Sequence, residues 1–186
     1  VLKWDSYVSV SASNIDVGEN LIVDVNASGN GSAKIYIYNN AGDLVADYIL
    51  SIDSGKGRII VPYTFTEIGE YKINITYNGD DVYNISKNTT GFIVSLASDY
   101  EFKVITSDAL VGDNVTVDVI LPNNANKNVI LKLANGTTLT QKLVNGTARF
   151  ILPALVAGDY IVNATYEGDN NYNMTTKLGK FTIMKH

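Results

Sequence analysis

At 186 residues, 46% of them apolar, the chain has room for one large domain or two small ones, and none of its apolar runs is long enough to cross a bilayer as a helix. It has no cysteine and a single histidine, His186 at the end, so disulfides, thiolate chemistry, a zinc site and a histidine-based catalytic triad are excluded. The net charge of −5 sits in residues 1–95, with 6 basic and 11 acidic side chains against 8 and 8 in 96–186, and neither half has the basic stripe that nucleic acid requires.

In chain order, runs of period-two hydrophobicity bounded by Gly, Asn and Asp predict strands near 7–11, 20–27, 33–39, 44–52, 57–61, 70–77 and 91–96, then again near 100–106, 114–121, 128–134, 138–144, 147–152, 159–166 and 180–184. No segment keeps a 3.6-residue period, so the chain is expected to be all-β. In the sixth run Tyr71, Ile73, Ile75 and Tyr77 fall on one face, with Lys72, Asn74 and Thr76 on the other. Tyr160, Val162, Ala164 and Tyr166 repeat that inner face. Asn135-Gly136 and Asn145-Gly146 are expected to close hairpins as type I′ turns, which need positive φ at both central residues.

The runs come twice because the sequence does. Gly69 to Asn84 returns as Gly158 to Asn173, an offset of 89, and Val17 to Val25 returns as Val111 to Val119, an offset of 94. A repeat of about 90 residues with seven antiparallel strands predicts two tandem immunoglobulin-like β-sandwiches, 1–97 and 98–186. Gly69-x-Tyr71 and Gly158-x-Tyr160 stand where such folds place a tyrosine corner, and Ile73 and Val162 take the usual cysteine positions. Trp4, the only tryptophan, precedes the first strand and is expected to cap the end of the first unit or to mark contact with a preceding one. Ala97, Ser98 and Asp99 are read as the linker, which spans at most about 10 Å and sets the units end to end.

Tyr77-x-Gly79-Asp80-x-x-Tyr83 and Tyr166-x-Gly168-Asp169-x-x-Tyr172, followed by Phe92-Ile93-Val94 and Phe181-Thr182-Ile183, resemble the Ig-like repeats of large bacterial and archaeal adhesin-like surface proteins. The Asn-, Thr- and Tyr-rich, cysteine-free versions of methanogenic archaea are most similar. Those repeats usually place a serine after the second tyrosine, which Ser86 satisfies and Met174–Thr176 satisfy only loosely. The resemblance implies a cell-surface, extracellular location, many tandem copies as neighbouring partners in the same chain, and a role in attachment or in holding an attachment domain away from the wall. A glycan or protein on another cell is the partner such a role implies; no nucleic acid, membrane insertion, catalytic residue or cofactor is expected. Independently of the family, Gly79 and Gly168 suit positive φ, Asp80 and Asp169 suit accepting backbone amides, and Tyr83 and Tyr172 suit pinning the loop.

Ten Asn-x-Ser/Thr triplets, at Asn26, Asn30, Asn74, Asn84, Asn88, Asn114, Asn135, Asn145, Asn163 and Asn173, exceed the roughly three that random placement gives. They are candidate glycosylation sites of a secreted chain; polar strand faces and turns also favour these residues without any sugar. Asp80, Asp81, Asp99 and Glu101 lack the spaced acidic pattern of a calcium loop and are expected to be solvated surface acids. Lys3, Lys103 and Gln141 are the residues considered for an internal cross-link, with no spacing that singles out a pair. Tyr36, Tyr38 and Tyr48 are the candidates for an exposed aromatic patch. Any specific binding is expected in the segments that differ between copies, 28–60 against 122–149.

Overall fold

A computed structural model describes all 186 residues as strands, turns and loops, with no helix. Contacts divide it into Val1–Ser95 and Leu96–His186. The division falls two residues before the expected 97/98 boundary because Ala97 is already hydrogen-bonded inside the second unit, to Asn171 and Asn173.

The first unit contains β1 (Val8–Ala12), β2 (Ile15–Asp16), β3 (Ile22–Ala27), β4 (Gly31–Tyr38), β5 (Leu44–Ile52), β6 (Lys56–Ile60), β7 (Gly69–Tyr77) and β8 (Ser86–Ser95). They form a three-stranded sheet, β1-β3-β6, and a five-stranded sheet, β2-β8-β7-β4-β5. The second unit contains β9 (Lys103–Ile105), β10 (Ala109–Leu110), β11 (Val115–Ile120), β12 (Asn128–Lys132), β13 (Thr138–Lys142), β14 (Thr147–Leu152), β15 (Gly158–Tyr166) and β16 (Thr175–Met184). Its sheets, β9-β11-β14 and β10-β16-β15-β12-β13, repeat the first topology strand for strand. Two sheets in this order, antiparallel but for the pairs β2–β8 and β10–β16, make each unit an immunoglobulin- or fibronectin type III-like sandwich.

Each unit has one element that the hydrophobic pattern does not show. The chain leaves β1, crosses to the other sheet and pairs parallel with the last strand, Ile15 opposite Val94 and Ala109 opposite Ile183. A two-residue strand is too short to alternate visibly. The crossing is fixed by a side chain in both copies: Ile93 N–H donates to Asn14 Oδ1 at 2.9 Å, and Thr182 N–H to Asp108 Oδ1 at 2.7 Å.

The last strands begin at Ser86 and Thr175, five residues before the apolar stretches that announced them. Their first halves read as loop because they close the sandwich edge with polar bonds, such as Asn88 Nδ2 donating to Val8 O at 2.8 Å.

Inside each sandwich the alternation is obeyed without a buried polar or charged residue. Val23, Ala33, Ile35, Ile37, Phe65, Ile73 and Tyr77 are fully buried in the first, and Val117, Val119, Val129, Leu131, Leu152, Ala164 and Tyr166 in the second. Complete burial of each large apolar side chain contributes about 1.5–3 kcal/mol, which replaces the missing disulfide.

The turns differ from expectation at one site. Asn145 and Gly146 have φ of 51° and 74°, the type I′ pair, but at Asn135-Gly136 only Gly136 is left-handed, at 88°. Leu133 N–H reaches Thr137 O there, so the loop is one residue longer than a two-residue hairpin. The first-unit partner of Asn145-Gly146 is Ser54-Gly55, with φ of 53° and 75°.

Candidate functional site

The residues singled out by the repeat form two structural devices in each unit. At the start of β7 and β15, the Tyr71 hydroxyl donates to Glu67 O at 2.9 Å and the Tyr160 hydroxyl to Val156 O at 2.8 Å, each reaching back four residues. Each ring stacks on the phenylalanine opposite it, Tyr71 on Phe92 at 5.2 Å and Tyr160 on Phe181 at 5.3 Å. Phe65 adds an edge-on contact to Tyr71 at 5.2 Å. Burial, followed by the charge of Glu67, raises the Tyr71 hydroxyl above the usual tyrosine pKa.

The second device is the Gly-Asp loop. Gly79 has φ of 74°, and a Cβ there would lie 2.5 Å from Tyr83 O, so conformation and space both demand glycine. Asp80 Oδ1 accepts the amides of Val82 and Tyr83 at 2.7 and 2.8 Å, and Oδ2 accepts Asn30 N–H at 3.0 Å. Those amides, Tyr83 first, hold the Asp80 carboxyl below its ordinary value. The buried Tyr77 hydroxyl donates to Asn30 O at 2.7 Å.

In the second unit Asp169 Oδ1 likewise takes Asn171 and Tyr172 amides at 2.7 and 2.9 Å, but its Oδ2 takes the Tyr166 hydroxyl, at 2.5 Å. Tyr166 in turn accepts the amides of Asn126 and Lys127 at 3.2 and 3.3 Å. Burial first, and the bond to Asp169 next, push Tyr166 up to about 12. Tyr172 reaches Asn124 Oδ1 at 2.6 Å.

A short backbone bridge braces both loops from outside. Trp4 N–H donates to Val82 O and Trp4 O accepts Asn84 N–H, both at 2.8 Å; Ala97 makes the same pair with Asn171 and Asn173 at 2.9 and 2.8 Å. Trp4 thus acts through its backbone, while its indole is 73% exposed and caps nothing in its own unit. Ala97, read as linker, is part of the second framework.

The chain's two arginines make a fourth shared device that sequence reasoning missed. Arg58 grips Asp24 at 2.7 and 3.3 Å, and Arg149 grips Asp118 at 2.9 and 3.1 Å, each pair directly cross-strand on the three-stranded sheet. The signal was present, since both aspartates lie inside the Val17–Val25 and Val111–Val119 echo.

The three candidate tyrosines, all half-buried, divide. Tyr36 and Tyr38 stand on the outer face of the first five-stranded sheet, but Tyr48 does not join them. It pairs with Ile35 and packs on the core, so the three-tyrosine patch is reduced to two. The outer face reads across in rows, Tyr36–Asn74–Thr89 and Tyr38–Lys72–Gly91. Two adjoining depressions of about 450 and 540 Å³ lie over these rows, and both are lined by Tyr38, Lys72 and Asn74.

The acids and cross-link candidates lie apart from that face. Asp80 is occupied by three amides, Asp81 and Asp99 are exposed, and Glu101 stands 3.3 Å from Lys103. Lys3 and Gln141 are exposed. Of the triplet asparagines, Asn26, Asn30, Asn84, Asn88, Asn114, Asn135, Asn145 and Asn173 are exposed, and Asn74 and Asn163 half-buried on the outer faces of the five-stranded sheets. The amide nitrogens of Asn88 and Asn173 are used inside the fold, on Val8 O at 2.8 Å and Ser98 Oγ at 2.7 Å.

No family model and no curated protein matches the chain. Among solved structures it is similar to a two-domain fibronectin type III segment of chicken tenascin, at 15% identity and a TM-score of 0.45, covering 92% of this chain and 97% of that one. It is also similar to the fibronectin(III)-like modules of Clostridium thermocellum CbhA, at 12% identity and 0.37, covering 96% and 95%. An I-band fragment of titin matches at 12% and 0.37, covering 97% of this chain and 66% of that one. Likenesses at this level concern the fold alone.

Proposed function

We propose that the chain is a non-enzymatic pair of Ig-like modules from an extracellular, cell-surface, adhesin-like protein of archaeal type, serving as a spacer that carries a binding region away from the cell. The observation that supports this most is the repeated framework. Corner, Gly-Asp loop, backbone bridge and Asp–Arg pair occur in both units, and every one of them is spent on holding the sandwich together. Side chains so engaged serve architecture, and a unit that closes its own core can be added or removed as a module. The doubled Tyr-x-Gly-Asp-x-x-Tyr phrase supports the adhesin-like assignment, and the density of Asn-x-Ser/Thr triplets supports a secreted location.

The test is binding by the purified two-unit chain. A spacer leaves cells and a glycan array unbound at micromolar concentration, and saturable binding there overturns the reading.

One observation favours a second reading, direct adhesion to another cell. The outer face of the first unit carries paired tyrosines, amides and lysines in a groove, and the second unit does not repeat that set.

A further inference from the structure

The β4–β5 hairpin is the place where the two copies differ most. Its strands have eight and nine residues, against five and five for β12 and β13. Register across the sheet, read from Asn74 and its repeat partner Asn163, sets Tyr36 against Lys132. Tyr38 falls beyond the end of β12 in the same alignment. The other groove residues change as well, Lys72 to Ile161, Thr89 to Leu178 and Gly91 to Lys180. The second unit thus keeps the sheet and does not repeat this set of groove residues.

In the first unit neither tyrosine hydroxyl of this face has a partner in the protein. Lys34 lies over the Tyr36 ring at 5.0 Å and 3.9 Å from Asp47, whereas no cation covers Tyr38. Asn74 Oδ1 accepts the Thr89 hydroxyl at 3.0 Å, which leaves its amide nitrogen free to donate upward. Gly91 adds no side chain beside Lys72, so the groove floor stays open toward β8. The unit carries a net charge of −5, yet three of its five lysines, Lys34, Lys72 and Lys87, stand on this one face, against Asp47 and Glu70 of its eleven acids. Lys72 and Lys87 are in no ion pair.

We propose that this groove binds an acidic oligosaccharide, a chain of uronate-type sugars. The proposal rests on the second reading above, direct adhesion, and names its ligand class; binding here replaces the spacer reading for this unit. A pyranose ring presents an apolar face that fits Tyr38, and ring hydroxyls match the tyrosine hydroxyls, Asn74, and Asn39 and Asn40, which line the same depression, Asn39 Oδ1 already accepting Asp43 N–H at 2.9 Å. The sugar carboxylates fit Lys72 and Lys87, and the excess of lysines on an acidic unit is the charge complementarity that selects them. The groove lies over β4, β7 and β8, interior strands of the five-stranded sheet, so it offers a peptide no ladder to join. Asn74 heads a glycosylation triplet, so binding requires it to be unmodified.

The experiment is calorimetric titration of the whole two-unit chain, made in a host that does not glycosylate, with tetragalacturonate. A saturable isotherm that weakens as salt is raised is expected. Tyr38→Ala and Lys72→Ala should each weaken it by about tenfold. Lys132→Ala, at the matching place in the second unit, should leave it unchanged. Unfolding curves of the variants, which change only outward side chains, should overlay the parent. A flat isotherm, indifference to Tyr38→Ala and Lys72→Ala, equal binding of the uncharged galactose tetramer, or equal binding of polyglutamate overturns the proposal. If tetragalacturonate fails while the chain still captures cells, only the ligand class falls and adhesion stands.

Discussion

The two Gly-Asp loops share their residues and differ in their wiring. In the first unit the aspartate holds the incoming chain directly, through Asn30 N–H, and the tyrosine holds the same residue's carbonyl. In the second the tyrosine stands between, donating to Asp169 and accepting two amides. The cause is the preceding loop. Only residues 28–30 join β3 to β4, and Gly29 lies so close to Asp80, Tyr77 and Tyr83 that a Cβ would collide with all three. Residues 121–127 join β11 to β12 and stay farther off, leaving the hydroxyl to bridge the gap. A repeated motif therefore specifies a set of donors and acceptors, and loop length decides how they pair.

The largest break in this comparison comes from Phe65→Ala, which empties the aromatic cluster over Tyr71. The second unit has an exposed Ala154 at that offset and packs Leu155 on its core instead, with no such cluster. A loss of about 3–5 kcal/mol is expected in the first unit alone. Amide hydrogen exchange reads the units separately and should show protection falling in residues 1–95 only.

Next, Gly29→Ala should cost about 1–3 kcal/mol by overpacking against Asp80, measured by denaturant unfolding.

Tyr166→Phe removes a donor and the acceptor of two amides, and should cost about 1–3 kcal/mol, against about 1 kcal/mol for Tyr77→Phe. The direct test of the wiring is whether the second-unit change exceeds the first.

The same contrast appears on a pH axis. Tyr166 is pushed up to about 12, so the stability it gives is complete below pH 10 and lost as pH rises from 10 through about 12. Unfolding curves of the parent and Tyr166→Phe should converge over that window. Asp80 is shifted down, so its contribution is present above the ordinary aspartate range and is lost as pH falls through the depressed value. The smallest effect is at the corners, where Tyr71→Phe and Tyr160→Phe each remove one bond, about 1 kcal/mol apiece by thermal unfolding.

The all-β class was legible because Tyr71, Ile73, Ile75 and Tyr77 alternate cleanly and return 89 residues later. The Gly-Asp-Tyr loop was legible as a turn because its glycine has no substitute. The swap between Asp80 and Asp169 was not, since it depends on a loop several strands away in sequence. The parallel strands β2 and β10 were hidden by their length. Tyr48 was placed on the wrong face because facing depends on register across the β4–β5 turn, where a slip of one residue inverts every side chain. Between Ile37 and Tyr38 the ladder does shift.

The Ser54-Gly55 and Asn145-Gly146 turns carry one more consequence. A Cβ on Gly55 would lie 2.7 Å from Ala27 O, and one on Gly146 2.5 Å from Leu121 O, so each turn is wedged against the strand beside it. The Gly-Asp loop is wedged likewise. Neither place can accept an inserted residue without prising a sheet apart. The β4–β5 hairpin carries no such wedge: a Cβ on Gly42 in its turn would meet nothing within 4 Å, and β5 is the edge of its sheet. A repeat of this design can therefore vary in length at that hairpin while the rest of the unit is held to its template.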